Sequence, residues 1–256
     1  MKPFKHILAA LTTVLTLSAH AEKITVAAAA DLKFAMDEIV AQFAKANPND
    51  EVSVVYGSSG KFLTQIQQEA PFDMFFSADI AFPQELVKAG LAGSDAKPYA
   101  VDRIVLWSTT MDATRMTLTS LTDPKVTRIA IANPKHAPYG KRAEEALRAA
   151  GLWDKVEPKL IYGENIAATA QYVQTGNAQV GLIALSLALN PVLASKGGYS
   201  LIDNKLHSPL EQGFVITKRA ASNVLAKRFA DYMFSKPART LMTKYGFVLP
   251  AEQSAR

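Results

Sequence analysis

From Lys23 to Tyr245 the sequence alternates short β-branched or aromatic runs with stretches whose apolar residues recur every three or four positions. Ile24-Thr25-Val26 reads as a strand, and Leu32, Ala35, Met36, Ile39, Val40 and Phe43 then fall on one helical stripe. The same alternation returns with Val52–Tyr56, Met74–Phe76, Arg103–Trp107, Arg128–Ala132, Leu160–Tyr162, Val180–Ala184 and Phe214–Ile216 as strands. Helices are expected between them and, at the end, around Val224–Ser235 and Pro237–Tyr245. Strands joined to helices by short connections pack as mostly parallel sheets covered on both faces, an α/β fold. The sequence has no internal repeats and no Ser/Pro-rich linker. If the chain makes two lobes, it must cross between them in strands or tight segments, and these are placed near Val101 and near Leu210.

The first residues have another character. Lys2 and Lys5 precede an apolar run, Ile7–Leu17, and then Ala19-His20-Ala21. A basic start, a short apolar core and small residues at a cut describe a secretory signal peptide over residues 1–21, cleaved after Ala21. The apolar run is too short to span a bilayer. The chain has no cysteine, which excludes disulfides, thiol catalysis and lipid attachment through a cysteine. Export without disulfides suits the bacterial periplasm. Beyond Ala21 the net charge is about +3, with no basic block, so nucleic acid is a poor partner for this chain.

Candidate chemistry lies at four strand-to-helix junctions built from small residues: Ala27-Ala28-Ala29-Ala30-Asp31, Gly57-Ser58-Ser59-Gly60, Asn133–Gly140 and Gly163-Glu164-Asn165-Ile166. Helix N-termini present free N–H groups and partial positive charge, so several meeting in one crevice would hold an anion without Arg or Lys. Taken alone, Ser58 and Ser59 would be read as helix caps. His136 and His207 do not make a metal-ligand cluster, Ser59 has no evident His/Asp partner for a triad, and no G-x-S-x-G elbow is present. Asp73 and Asp79 are conceivable as a glycosidase pair, but turn or hinge hydrogen bonds explain them more simply. The protein is not expected to be an enzyme.

The run Ile24–Leu32, the segment Ser58-Ser59-Gly60, the segment Pro71–Asp79, the segment Asn133-Pro134-Lys135-His136-Ala137-Pro138-Tyr139-Gly140 and the closing Lys244-Tyr245-Gly246-Phe247 resemble, in order, the periplasmic molybdate-binding proteins of ABC transporters. The resemblance implies a two-lobed type II periplasmic-binding-protein fold, with a ligand cleft between a first lobe (22–100 and 210–256) and a second (101–209). It implies molybdate, and with it tungstate, as ligand, held by backbone N–H groups and hydroxyls, with no cofactor and no metal apart from the molybdenum of the oxyanion. The positions it carries over are Ala30, Asp31, Ser58, Ser59, Tyr139 and Ile166. It further implies a membrane permease as partner and a monomer in solution. A different oxyanion (sulfate, chromate or phosphonate), or a secreted hydrolase, is the alternative.

Two positions depart from the family pattern. Asp31 stands where many members have Ser, and Ala184 where many have a Tyr that reaches the oxyanion. Tyr139 is expected to replace that missing hydroxyl. A carboxylate ~4 Å from a dianion would be repelled by roughly 8 kcal/mol at an effective dielectric of 20. Asp31 is therefore expected to cap its own helix, leaving only its N–H for the anion. A protonated Asp31, or a ligand that is not a dianion, are the other ways to accommodate it.

Overall fold

The computed structural model describes residues 22–250; the expected signal peptide lies outside them. Strands β1 (Lys23–Ala29), β2 (Glu51–Gly57), β3 (Met74–Ser77) and β4 (Lys97–Asp102) alternate with helices α1 (Lys33–Ala46), α2 (Ser59–Gln67) and α3 (Ala81–Lys88). Then follow β5 (Ile104–Ser108), β6 (Ile129–Ala132), α4 (Pro138–Ala149), α5 (Trp153–Val156), β7 (Leu160–Gly163), α6 (Ile166–Gln174) and β8 (Val180–Ala184). The chain closes with α7 (Leu185–Ala188), α8 (Pro191–Ala194), β9 (Gly198–Leu201), β10 (Leu210–Ile216), α9 (Val224–Tyr232) and α10 (Lys236–Lys244).

These strands make two five-stranded sheets, ordered β2-β1-β3-β10-β4 and β7-β6-β8-β5-β9. The β2-β1-β3 and β7-β6-β8 segments are parallel, as β-α-β alternation requires. Each sheet is completed by antiparallel strands, β10 and β4 in the first and β5 and β9 in the second. β4 lies in the first sheet and β5 in the second, with only Arg103 between them, and the chain returns between β9 and β10.

Side-chain alternation along the strands divides the core of the first sheet. Val26, Ala28, Met74 and Phe76 face α1, α9 and α10 on one side, while Ala27 and Phe75 meet Phe62, Leu63 and Leu86 of α2 and α3 on the other. A strand as rich in alanine as β1 has little β-propensity of its own; it is held because both faces are covered. Phe76 and Phe214 stack at 4.8 Å between ring centroids, tying β3 to β10. Around the second sheet one larger core encloses Trp107 and Leu147, and it reaches across to Ala29, Ala30 and Ala78 at the ends of the first-sheet strands. Apolar packing is thus continuous between the two lobes at the mouths of their strands.

Candidate functional site

Four chain segments meet where the strands of the two sheets end. β1 runs into a 3-10 turn, Ala30–Leu32, that leads into α1. β2 ends at Gly57, and Ser58 stands at the N-cap of α2 in extended conformation. After β6, the loop through Ala137 delivers Pro138 to the first position of α4, where its missing N–H costs nothing. After β7, the Asn165 side chain caps α6 by accepting from the Ala168 N–H, and Ile166 begins the helix.

All six positions named from the sequence, Ala30, Asp31, Ser58, Ser59, Tyr139 and Ile166, line one small cavity together with Gly57, Ala78, Pro138 and Asn165. The space inside is about 10 Å³, counted by where the centre of a water molecule fits. None of the six is more than 3 % exposed, while Gly57 and Asn165 at the cavity's edge are half-buried. No Lys or Arg lines it. The N–H groups of Ser59, Tyr139 and Ile166 belong to first helical turns and have no carbonyl partner inside their own helices. A ligand here meets neutral donors and helix dipoles rather than cations.

The serines do something other than cap. Ser58 makes no cap hydrogen bond; its Oγ donates to the His136 carbonyl oxygen at 2.5 Å and lies 2.9 Å from His136 Nδ1, on the facing lobe. Ser59 Oγ accepts from the Ala78 N–H at 3.0 Å. The Gly60 N–H also donates to the His136 carbonyl, at 2.9 Å. Burial, and then the charge of Lys61, holds the His136 imidazole below its ordinary pKa.

Asp31 departs from its expected role as a cap. Its turn has no side-chain cap, and its carboxylate turns inward to a buried polar cluster. Oδ2 accepts from Gln212 Nε2 at 2.7 Å and lies 2.9 Å from the Tyr139 hydroxyl. The same hydroxyl lies 2.5 Å from Asp102 Oδ2 and accepts from Gln212 Nε2 at 3.0 Å. Ser186 Oγ is 2.7 Å from Asp102 Oδ2 and 3.2 Å from the Asp31 carbonyl oxygen. The Tyr99 hydroxyl donates to Gln212 Oε1 at 2.6 Å. Long-range partners outcompete the local cap because the turn is buried, where every polar atom needs a partner. Asp31 Oδ1 nevertheless has none in hydrogen-bond geometry.

Burial pushes the Asp31 carboxyl up to about 6, against the hydrogen bonds from Gln212 and Tyr139 that favour its charge. Burial, and then the charge of Asp31, pushes Asp102 up to about 7, against hydrogen bonds from Tyr139 and Ser186. Burial and the neighbouring carboxylates likewise raise Tyr139 and Tyr99 well above the ordinary phenol range.

Asp102, Ser186, Gln212 and Tyr99 were not among the residues expected from sequence. They lie on the strands where the chain crosses between lobes and on a short helix after β8, with no local pattern to single them out. Ala184, where a tyrosine was missing, is fully buried at the end of β8.

Further polar ties bridge the lobes. Arg142, one turn after Tyr139, is buried and pairs with Asp79 at 3.0 Å. Lys61 pairs with Glu164 at 2.9 Å across the exposed rim. Asp73, by contrast, accepts the Thr25 N–H at 2.7 Å and pairs with Arg219 within the first lobe. The two aspartates once conceivable as a glycosidase pair are thus each engaged by an arginine of their own. Among the described residues no group of His, Asp or Glu could hold a metal ion.

Residues 24–248 match the family model described as bacterial extracellular solute-binding protein. The chain is 37 % identical over 243 residues to the molybdate-binding protein ModA of Rhodobacter capsulatus, covering 93 % of each chain. It is 34 % identical to that of Azotobacter vinelandii, over 92 % of this chain and 94 % of the relative. The solved structure of the periplasmic molybdate-binding protein of Azotobacter vinelandii superposes with a TM-score of 0.84 at 29 % identity, covering 89 % of this chain and 99 % of that one. A shared family model, relatives matched along nearly their whole length and the superposable two-sheet architecture agree: the chain belongs to the bacterial extracellular solute-binding protein family and, within it, to the family of the molybdate-binding protein ModA.

Proposed function

We propose that this protein captures molybdate, and with it tungstate, in the cleft between its lobes and delivers it to the membrane permease of an ABC importer. The observation that carries this reading is a cavity of buried residues, free of Lys and Arg, lined by the first turns of helices from both lobes. The backbone N–H groups of Asp31, Ser59, Tyr139 and Ile166, with the hydroxyl of Ser59 and room left by Ala30, form the donor set. Ser58, whose hydroxyl is given to the His136 carbonyl, lines the cavity and joins the set if the anion displaces that bond. Desolvated donors aimed by rigid helices bind a dianion strongly, and the spacing those donors take up around the anion selects among tetrahedral oxyanions. The lobes, 22–100 with 210–256 and 101–209, hinge at the two crossings, and closure sequesters the anion. The mature protein, released by cleavage after Ala21, works as a periplasmic monomer.

Calorimetric titration of the ligand-stripped protein with molybdate, tungstate, sulfate, phosphate, phosphonate and chromate tests this. Tight binding of molybdate and tungstate with little response to the others is the expected result. No response to molybdate or tungstate, with binding of sulfate, chromate or phosphonate, would overturn the ligand assignment.

A further inference from the structure

The Tyr139 hydroxyl has one hydrogen, yet it lies within hydrogen-bond distance of Asp31 Oδ2 and of Asp102 Oδ2. It can donate to only one of them. Gln212 Nε2 supplies both its hydrogens to the cluster, one to Asp31 Oδ2 and one to the tyrosine oxygen. The Ser186 hydroxyl has one hydrogen for Asp102 Oδ2 or the Asp31 carbonyl. The Tyr99 hydrogen is spent on Gln212 Oε1. For both carboxyl–tyrosine contacts to be hydrogen bonds, one carboxyl must bring a proton of its own and donate it to the tyrosine oxygen. Two ionised carboxylates there would leave one oxygen facing another with nothing between them.

We propose that the Asp31–Tyr139–Asp102 cluster is a one-proton site that fills as the lobes close, so that anion capture takes up a proton from solution. The cluster is assembled from both sides of the cleft. Asp31 follows β1 in the first lobe, Tyr139 and Ser186 belong to α4 and α7 in the second, and Asp102 and Gln212 sit on β4 and β10 beside the crossings. The titratable groups facing the pair are each other, Tyr99 and Tyr139; Gln212 and Ser186 are neutral, the Arg103 main-chain N–H donates to Asp102 Oδ1 at 2.7 Å, and no Lys, Arg or His side chain among the described residues hydrogen-bonds to either carboxylate. No cation balances the pair, so a proton must. Burial raises both carboxyls toward neutrality in the closed form. Opening separates Asp31 from Tyr139 and returns it to water, where a carboxyl gives up its proton near pH 4. Because Asp31 and Tyr139 also line the anion cavity, the proton removes one of the negative charges that a dianion would meet. This inference rests on the molybdate reading.

The test is calorimetry with molybdate in two buffers of different ionisation enthalpy at matched pH, about 6.5, where molybdate itself stays a dianion. The expected result is uptake of close to one proton per anion bound. The affinity should fall by up to about tenfold per pH unit as pH rises toward about 7. Asp102→Asn should lower the uptake toward zero. Binding with equal heats in both buffers, or undiminished uptake by Asp102→Asn, overturns the proton site and leaves the molybdate reading standing. Absence of molybdate binding by the wild type overturns both.

Discussion

Gly60 and His136 meet backbone to backbone across the cleft: the Gly60 N–H donates to the His136 carbonyl at 2.9 Å, and a β-carbon on Gly60 would lie 2.6 Å from that same oxygen. The contact is closer than any side chain allows, and both partners are main chain, so neither can swing away. Gly60→Ala should therefore wedge the lobes apart while leaving each lobe folded. The expected outcome is molybdate affinity weakened by about tenfold or more, on the order of 1.4 kcal/mol, with little change in the melting temperature of the ligand-free protein. Calorimetry beside a thermal melt checks it, and wild-type affinity would show that this approach does not govern closure.

Arg142 carries the most deeply buried interlobe ion pair. Its side chain is 8 % exposed and that of Asp79 is 19 %, so solvent screens the pair only in part. Replacing it with Gln leaves Asp79 facing a neutral amide in a dry setting. We expect a loss of about 2 kcal/mol in binding, at the low end for a buried charged pair because Asp79 keeps some water. The Lys61–Glu164 pair, exposed at 46 % and 63 %, should matter far less, and Lys61→Gln serves as the contrasting measurement in the same titration.

Tyr139→Phe removes the hydroxyl that stands between two carboxyl groups. Its hydrogen bonds favour the charged forms of Asp31 and Asp102, so both should titrate higher in the variant. Molybdate binding should weaken by about tenfold, in line with the loss of a buried hydrogen bond to a charged group. Its pH dependence should shift toward higher pH. Unchanged affinity across pH would remove the Tyr139 hydroxyl from the binding machinery.

In the closed, molybdate-bound protein the raised carboxyls also set a stability profile. A group whose pKa is higher folded than unfolded stabilises the fold fully below its unfolded value, about 4, and loses that contribution as pH rises through its folded value. For Asp31 and Asp102 the loss runs from about pH 4 to about 6 and about 7 respectively. Together the coupled pair then costs on the order of 3 kcal/mol at pH 8, a sum not to be counted once for each group. Asp102→Asn should flatten the fall in melting temperature between pH 5 and pH 8. A variant with the wild-type slope would mean that Asp102 stays ionised throughout.

Much of the fold was legible because local pattern and global packing agree in the parallel β-α units. Val26, Ala28 and Phe76 alternate as a strand covered on both faces must, and the stripe from Leu32 to Phe43 became α1. β4 and β9 were not foreseen. Lys97-Pro98 opens β4, and proline is tolerated in a strand only at an edge, which is where β4 lies. The start of β10 was hidden by Glu211 and Gln212 and by the register shift after Gln212. The four small-residue junctions did converge on one cavity, since strand ends in such sheets share one side. The carboxyl cluster stayed invisible because it joins residues 37 to 181 positions apart. Asp31 looked like a cap in its local sequence, and its inward partners come from far along the chain, Tyr139 on α4 and Gln212 on the crossing strand β10.

The chain has no cysteine, and Lys61 and Glu164 face each other across the rim of the cleft. A pair of thiols introduced at those two positions would be the only ones in the molecule. A short bifunctional reagent could then staple the cleft shut, and a pair of spectroscopic labels would turn the same two sites into a ruler for the distance between the lobes as each candidate anion is added.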